Sequence, residues 1–249
     1  VSYVKSSGGT VVRKPDGYEI FLPGKKRAIH LFLRAKSSDA AVFCQVFIDQ
    51  EYAPIVELIK STQAVNVSHI VDAGANVGLA SLYFLTCFPD ANVLAVEPDR
   101  GNHGALCRNF LLNKVDETSA LHAALWKNNQ PVRIERSFRD QREWSLRVSE
   151  TGEHQAGSSM VNALTPDDLL QMHTPIDLLK IDIEGAEAEV FSDAQRAVVF
   201  LRNVRFVAIE IHREVDFKDT FENILKDAGF IFTYCGESLI GVNKNQLIN

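Results

Sequence analysis

The segment HIVDAGANVGLASLYFLTCF, residues 69–88, decides the fold. His69-Ile70-Val71 is a short β-rich run, Gly74 and Gly78 bracket a turn, and Leu79 to Phe88 is an apolar stretch of helical length. Strand, tight turn and helix therefore follow one another, and the same rhythm continues downstream. Pro89-Asp90 breaks the helix, and Asn92 to Val96 reads as a second buried strand ending at Glu97-Pro98. Residues 101–113 are helical in pattern, and Ser119 to Trp126 is the third strand candidate. Ile176 to Ile183 is the fourth, followed by a helix from Ala186 to about Arg196, and Val204 to Ile211 is the fifth. After a helix at Phe221 to Ala228, the runs Phe230 to Tyr234 and Ser238 to Val242 flank Cys235-Gly236-Glu237 as a closing hairpin. Such alternation predicts an α/β chain: a doubly wound, mostly parallel sheet with right-handed crossovers, helices on both faces and an antiparallel C-terminal hairpin.

Upstream of residue 69 the pattern differs. Tyr18 to Leu22 and Ile29 to Leu33 are β-rich and separated by Pro23-Gly24, which predicts a small hairpin. From Asp39 to Lys60 apolar residues recur at helical spacing, with Ala41, Val42, Val46, Ile55, Leu58 and Ile59 on the expected buried faces and Pro54 opening a second helix. The expected organisation is an N-terminal hairpin and helical cap over residues 1–60 and a ligand-binding domain over 61–249. Residues 127–175 interrupt the rhythm: five arginines lie between Arg133 and Arg147, interleaved with acids, and Ser149 to Ser159 is polar. This reads as an insertion. Its arginines could meet an anionic substrate, Trp144 could line a substrate mouth, and Phe47 and Tyr52 could lid a cofactor, although solvation and packing are the ordinary roles of such residues.

Composition narrows the class. Of 249 residues 46% are apolar and 23% charged, the balance of a soluble globular protein. A formal charge of −6 offers no general attraction to nucleic acid or an anionic membrane. No window approaches the ~20 apolar residues of a membrane span, and VSYVKSSGGT lacks the apolar core of a signal peptide, so the expectation is a cytoplasmic protein. Cys44, Cys87, Cys107 and Cys235 are widely spaced, which suggests neither a zinc cage nor a disulfide framework.

In open α/β sheets ligands bind beyond the carboxyl ends of the strands where strand order reverses, between the first and fourth strands of this layout. The Gly74-x-x-x-Gly78 spacing departs from the Gly-x-Gly-x-x-Gly dinucleotide fingerprint. Asp72 would oppose a pyrophosphate but would suit the ammonium end of a cationic cofactor such as S-adenosylmethionine. Glu97, at the tip of the second strand, is placed to grip ribose hydroxyls.

These blocks resemble the FkbM family of S-adenosylmethionine-dependent methyltransferases. The resemblance rests on VDAGANVG (71–78), VEPD (96–99) and above all LLKIDIEGAE (178–187), with support from LRAKSSDAAVFCQVFIDQEY (33–52) and VAIEIH (207–212). It implies a class I methyltransferase (Rossmann-like) fold and methylation of a hydroxyl on a small acceptor, a sugar, glycoside or polyketide-like product. It further implies that Asp72, Gly74, Asn76 and Gly78 hold the methionine end of the cofactor and that Glu97 with Asp99 holds the ribose. The third strand offers no acid for adenine, so main-chain groups near Ala123 and Ala124 are the expected contacts.

Asp182 is expected at the fourth strand's tip beside the sulfonium methyl, on one face with Lys180 and Glu184 if the strand runs that far. Glu187 falls in the first turn of the next helix, where a carboxylate complements the helix dipole. Glu210 and His212 sit at i and i+2 on the fifth strand's tip. Asp182, Glu184, Glu210 and His212 are thus the catalytic candidates. His212 could act as a base, or the four could hold a divalent metal, with the base slightly favoured because hard cations prefer carboxylate cages. A nicotinamide-dependent oxidoreductase and a non-catalytic S-adenosylmethionine-binding module remain the alternatives.

Overall fold

Consecutive residues of the central strands belong to opposite sides of one sheet, and both sides are apolar. Ile70, Val93, Leu178 and Phe206 belong to one buried cluster, while their neighbours Val71, Leu94, Leu179 and Val207 belong to another. That two-residue period is what a sheet covered on both faces requires. The computed structural model describes residues 1–24, 26–62, 66–135, 147–149, 159–212 and 217–247. Trp144 and the arginines at 136, 139 and 142 lie outside the described residues.

The strands, in chain order, are β1 Thr10–Lys14, β2 Gly17–Leu22, β3 Ile29–Arg34, β4 His69–Ala73, β5 Asn92–Val96, β6 Ala120–Leu121, β7 Ala124–Leu125, β8 Val132–Glu135, β9 Arg147–Ser149, β10 Ser159–Val161, β11 Ala163–Leu164, β12 Ile176–Ile181, β13 Val204–Glu210, β14 Phe230–Cys235 and β15 Ser238–Asn243. The helices are α1 Ser2–Ser6, α2 Asp39–Phe43, α3 Ala53–Ser61, α4 Leu79–Cys87, α5 Arg100–Leu112, α6 Pro166–Met172, α7 Glu187–Val190, α8 Ala194–Leu201 and α9 Lys218–Ala228. A π-helical turn, Cys44–Ile48, continues α2.

The main sheet has seven strands in the order β14-β15-β13-β12-β4-β5-β6. Strands β6, β5, β4, β12 and β13 are parallel, and β15 is antiparallel to both β13 and β14. Order reverses between β4 and β12, as expected of a doubly wound class I methyltransferase sheet with a closing hairpin. One face is covered by α3, α4, α5 and β3, the other by α6, α8 and α9. Leu31, Phe43 and Ile55 of the N-terminal segment lie in the same apolar cluster as Ile70 and Phe206.

Several expected elements differ. The third strand is split: β6 joins the main sheet, whereas β7 pairs in parallel with β11, since the chain leaves the sheet at His122 and Ala123. The predicted hairpin near the N-terminus gains a third strand, β1. The helix predicted from Ala186 to Arg196 is two helices, and Asp193 accepts from the Arg196 N–H at 3.0 Å to cap the second. The fourth strand stops at Ile181, two residues earlier than the apolar run suggests. Ala41 is exposed, not buried. Among the described residues no helix is long and apolar enough to cross a membrane.

Candidate active site

The parallel strands all point their carboxyl ends at one edge, and the acids at those ends meet there. Asp72 is the most deeply placed, with no exposed surface. Its Oδ2 accepts from Ser81 Oγ at 2.6 Å, and its Oδ1 lies 3.1 Å from Lys180 Nζ. Lys180 is its register partner on β12. The ammonium also donates to the Gly74 carbonyl at 2.7 Å and lies 3.8 Å from Asp182 Oδ2. Burial opposes the Lys180 charge, but Asp72, then Tyr52 and Asp182, outweigh it and hold the amine protonated well above its ordinary range. Asp72 is therefore answered by a lysine from within the chain, beneath the loop where the sequence suggested a cofactor ammonium.

The loop above it, Gly74 to Gly78, is shaped by packing. Gly74 has φ +76°, and a Cβ there would collide with the Asp182 carbonyl oxygen; at Gly78, φ +80°, it would strike Leu106 Cδ1. Both glycines admit neighbouring protein, and Gly74 also lines the cavity described below. Asn76, in the left-handed region at φ 51°, is the loop residue with a spare group: its side chain lines that cavity and its Oδ1 has no hydrogen-bond partner. Its N–H donates to Glu97 Oε2 at 2.8 Å, and the Asp99 N–H donates to Glu97 Oε1 at 2.8 Å. When ionised, each Glu97 oxygen keeps a further lone pair for a diol. Burial pushes the Glu97 carboxyl up to about 8, against those two N–H donors.

Two cofactor assignments look different in the structure. Asp99 caps α5, its Oδ1 accepting from the Gly101 and Asn102 N–H groups at 2.8 and 2.9 Å. Of the main-chain groups near Ala123 and Ala124 expected to meet adenine, the two N–H groups are already used, Ala123 donating to Leu121 O and Ala124 to Asn162 O because β7 has left the main sheet.

The catalytic candidates do come together. His212, 4% exposed, lies just past β13, and its Nδ1 is 3.1 Å from Glu187 Oε1. Its Nε2 is 3.4 Å from Glu184 Oε2, 3.7 Å from Glu210 Oε1 and 3.8 Å from Asp182 Oδ1. Burial works against the imidazolium, but the Glu184 carboxylate beside Nε2, the Glu187 carboxylate bonded to Nδ1 and the Asp182 charge raise its pKa to about 11. A ring with that affinity for its proton is cationic at neutral pH, whereas the expected base would have to be neutral there. Glu210 is also shifted upward, to about 8, which for an acid favours the neutral form; burial and the Asp182 charge are the chief causes, with His212 opposing. Ligand atoms of Asp182, Glu210 and His212 lie within 4.8 Å of one another, a set that could hold a divalent cation.

These side chains face a cavity of about 270 Å³, just under the ~300–1,000 Å³ usual for ligand pockets. Asn76, Lys180, Asp182, Glu184, Glu210 and His212 form its floor and inner wall. The outer wall comes from the π-helical segment and α3, through Gln45, Val46, Glu51 and Tyr52, and from Glu237 in the β14–β15 turn. Tyr52 is a lining residue that also packs on Phe84, whereas Phe47 is stacked on Phe43. Glu97, Asp99 and Ala124 are not among the residues around this cavity.

A model described as the methyltransferase FkbM domain matches residues 72–232, from the buried Asp72 through all the strand-tip acids. The chain belongs to the FkbM methyltransferase family. Methyltransferase sdnD of Sordaria araneosa is 31% identical over a match covering 66% of this chain and 74% of that protein. The hexuronic acid methyltransferase AglP of Haloferax volcanii is 28% identical, the match covering 59% of this chain and 57% of AglP. The crystal structure of an FkbM methyltransferase from Methylobacillus flagellatus superposes with a TM-score of 0.47 and 19% identity, over 71% of this chain and 44% of that one.

Within the FkbM domain, sequence reasoning undervalued two residues. Glu187, expected merely to complement a helix dipole, is 2% exposed and holds the His212 ring. Lys180 was read only as part of an alternating pattern. Their partners lie 25 and 108 residues away in sequence, so spacing alone could not reveal either pair.

Proposed function

We propose that this methyltransferase moves the methyl group of S-adenosylmethionine to a hydroxyl of a small acceptor, a sugar or sugar-like natural product. The observation that carries the reading is the convergence of Asp182, Glu184 and Glu210 on one cavity at the switch point. A negatively lined wall suits a positively charged sulfur. When bound, the cofactor supplies a methyl carbon whose bond to that sulfur breaks as the acceptor oxygen bonds to it, leaving a neutral thioether. Asn76 and Glu97 are the residues with acceptor capacity left for its methionine end and its ribose.

The acceptor hydroxyl must lose a proton, and Glu210 is suited to take it, because a carboxyl raised toward neutrality is a competent base at neutral pH. His212, kept cationic, would then stabilise charge on the acceptor oxygen. A second reading is favoured by the Glu187 contact: a histidine that ligates a metal donates its other ring N–H to a carboxylate, as His212 Nδ1 is placed to do. Asp182, Glu210 and His212 would hold such a divalent cation, which would lower the pKa of the hydroxyl. The name of AglP, a hexuronic acid methyltransferase, supports a sugar-type acceptor, and with about half of AglP matched the acceptor itself is part of the proposal.

The test is transfer of label from methyl-tritiated S-adenosylmethionine to a panel of sugars and glycosides, run with and without a chelator. Product carrying one added methyl on oxygen supports the reading. Label on nitrogen or carbon, or no transfer to any acceptor, counts against it. Turnover that survives chelation favours Glu210 as base, and turnover restored by magnesium or manganese favours the cation.

A further inference from the structure

The cavity has two halves of different origin. Its floor lies within residues 72–232, the span matched by the family model, but Gln45, Glu51 and Tyr52 precede that span and Glu237 follows it. The floor holds Asn76, assigned to the methionine end of the cofactor, and the groups assigned to the chemistry. On the proposed function, the outer wall is the part of the cavity left to the acceptor. The π-helical turn and Gln50, in the left-handed region at φ 54°, deliver Glu51 to the mouth, and the β14–β15 turn delivers Glu237 beside it. Both are exposed at that mouth.

The charge balance is one-sided. Five carboxylates line the cavity: Glu51, Asp182, Glu184, Glu210 and Glu237. Lys180 and His212 are the cationic side chains among the described lining residues, and Lys180 is committed to Asp72. Even with a sulfonium at the floor and a divalent cation at His212, the surroundings of an acceptor stay negative.

We propose that Glu51 and Glu237 select the acceptor by charge: the cavity takes a hydroxyl-bearing molecule carrying a protonated amine, of the amino-sugar class, and rejects one carrying a carboxylate. Carboxylates accept hydrogen bonds and donate none, so hydroxyl and ammonium donors are matched, whereas an acid would place like charges together. The inference rests on the methyltransferase reading above.

Three matched probes test it: D-glucosamine, D-glucose and D-glucuronate, titrated by calorimetry or ligand-observed NMR into protein loaded with S-adenosylhomocysteine. The expected order is amine, then neutral sugar, then acid, with at least a tenfold gap between the extremes. That gap should narrow at high salt, since exposed carboxylates are screened. It should also narrow in the Glu51→Gln/Glu237→Gln double variant, whose circular dichroism should match the parent. Glucuronate binding as tightly as glucosamine, a gap unchanged in the double variant, or no binding of any probe overturns the proposal. Failure of S-adenosylhomocysteine to bind at all is a separate result: it removes the cofactor reading and this inference with it.

Discussion

Replacing Lys180 by methionine should destabilise the fold more than most single changes, because it strands a charge. Lys180 is 3% exposed and Asp72 0%, and they face each other across adjacent central strands. Lys180→Met keeps most of the apolar stem but leaves the Asp72 carboxylate with Ser81 Oγ as its remaining hydrogen-bond partner. Breaking a buried ion pair from one side costs about 3–5 kcal/mol. At ~2–4 °C per kcal/mol for a chain this long, the melting temperature should fall by roughly 6–20 °C. Lys180 is raised above its ordinary 10.5, so the pair's contribution is fully present below that pH and is lost as pH rises through the folded value. The deficit should therefore be constant between about pH 6 and 9. Urea unfolding followed by tryptophan fluorescence reads it directly. The Asp72→Asn/Lys180→Met double variant, which removes both charges, should recover at least half of the loss. A single variant that loses less than ~1 kcal/mol, or a double variant no more stable than the single, would show that the pair is not the buried ionic contact described.

Further expectations follow from the same cluster. In the cofactor-free protein the His212 imidazole should show no titration by NMR between pH 6 and 9; its raised pKa of about 11 means its stabilising contribution is present below pH 6.5 and is lost as pH climbs through 11. A midpoint near 7 would restore it as a candidate base. Glu97, raised to about 8, should make the cofactor-free protein lose stability from pH 4.5 to 8, and Glu97→Gln should flatten that slope by up to ~1.4 kcal/mol per pH unit. The same slope in wild type and variant would place the titration elsewhere. Glu210→Gln should lower the maximal methylation rate by ~10²–10⁴-fold while leaving S-adenosylhomocysteine affinity within twofold, and a rate close to wild type would rule Glu210 out as the base. Gly74→Ala should fold poorly, since its Cβ has no room beside the Asp182 carbonyl; a melting temperature equal to wild type would mean that the loop has a second accessible conformation.

Legibility in the sequence followed the range of the interactions. Asn92 to Val96 was readable to the residue because a strand buried on both faces is an uninterrupted apolar run between turn signals. The split of Ser119 to Trp126 was not, because Ala120-Leu121 and Ala124-Leu125 look alike and only the distant partner Ala163-Leu164 separates them. The same divide runs through the site. Motif reading brought Asp182, Glu184, Glu210 and His212 to one place, as strand tips in a parallel sheet must converge. It missed that Asp72 is neutralised by Lys180, that Glu187 clasps His212, and that Asp99 Oδ1 caps α5. Each depends on which atoms face one another across elements far apart in sequence, and the His212 shift on Glu184, Glu187 and Asp182 together raising one imidazole's proton affinity.

The proposed role of the cavity and loop at the β4–β12 switch point is to serve S-adenosylmethionine. Isothermal calorimetry of the purified protein against S-adenosylhomocysteine and, separately, NADP tests it most directly. Binding of S-adenosylhomocysteine at one molecule per chain, weakened by about 1.5–3 kcal/mol in Glu97→Ala and accompanied by no heat with NADP, is the predicted result. Tight NADP binding with silence toward S-adenosylhomocysteine would contradict it.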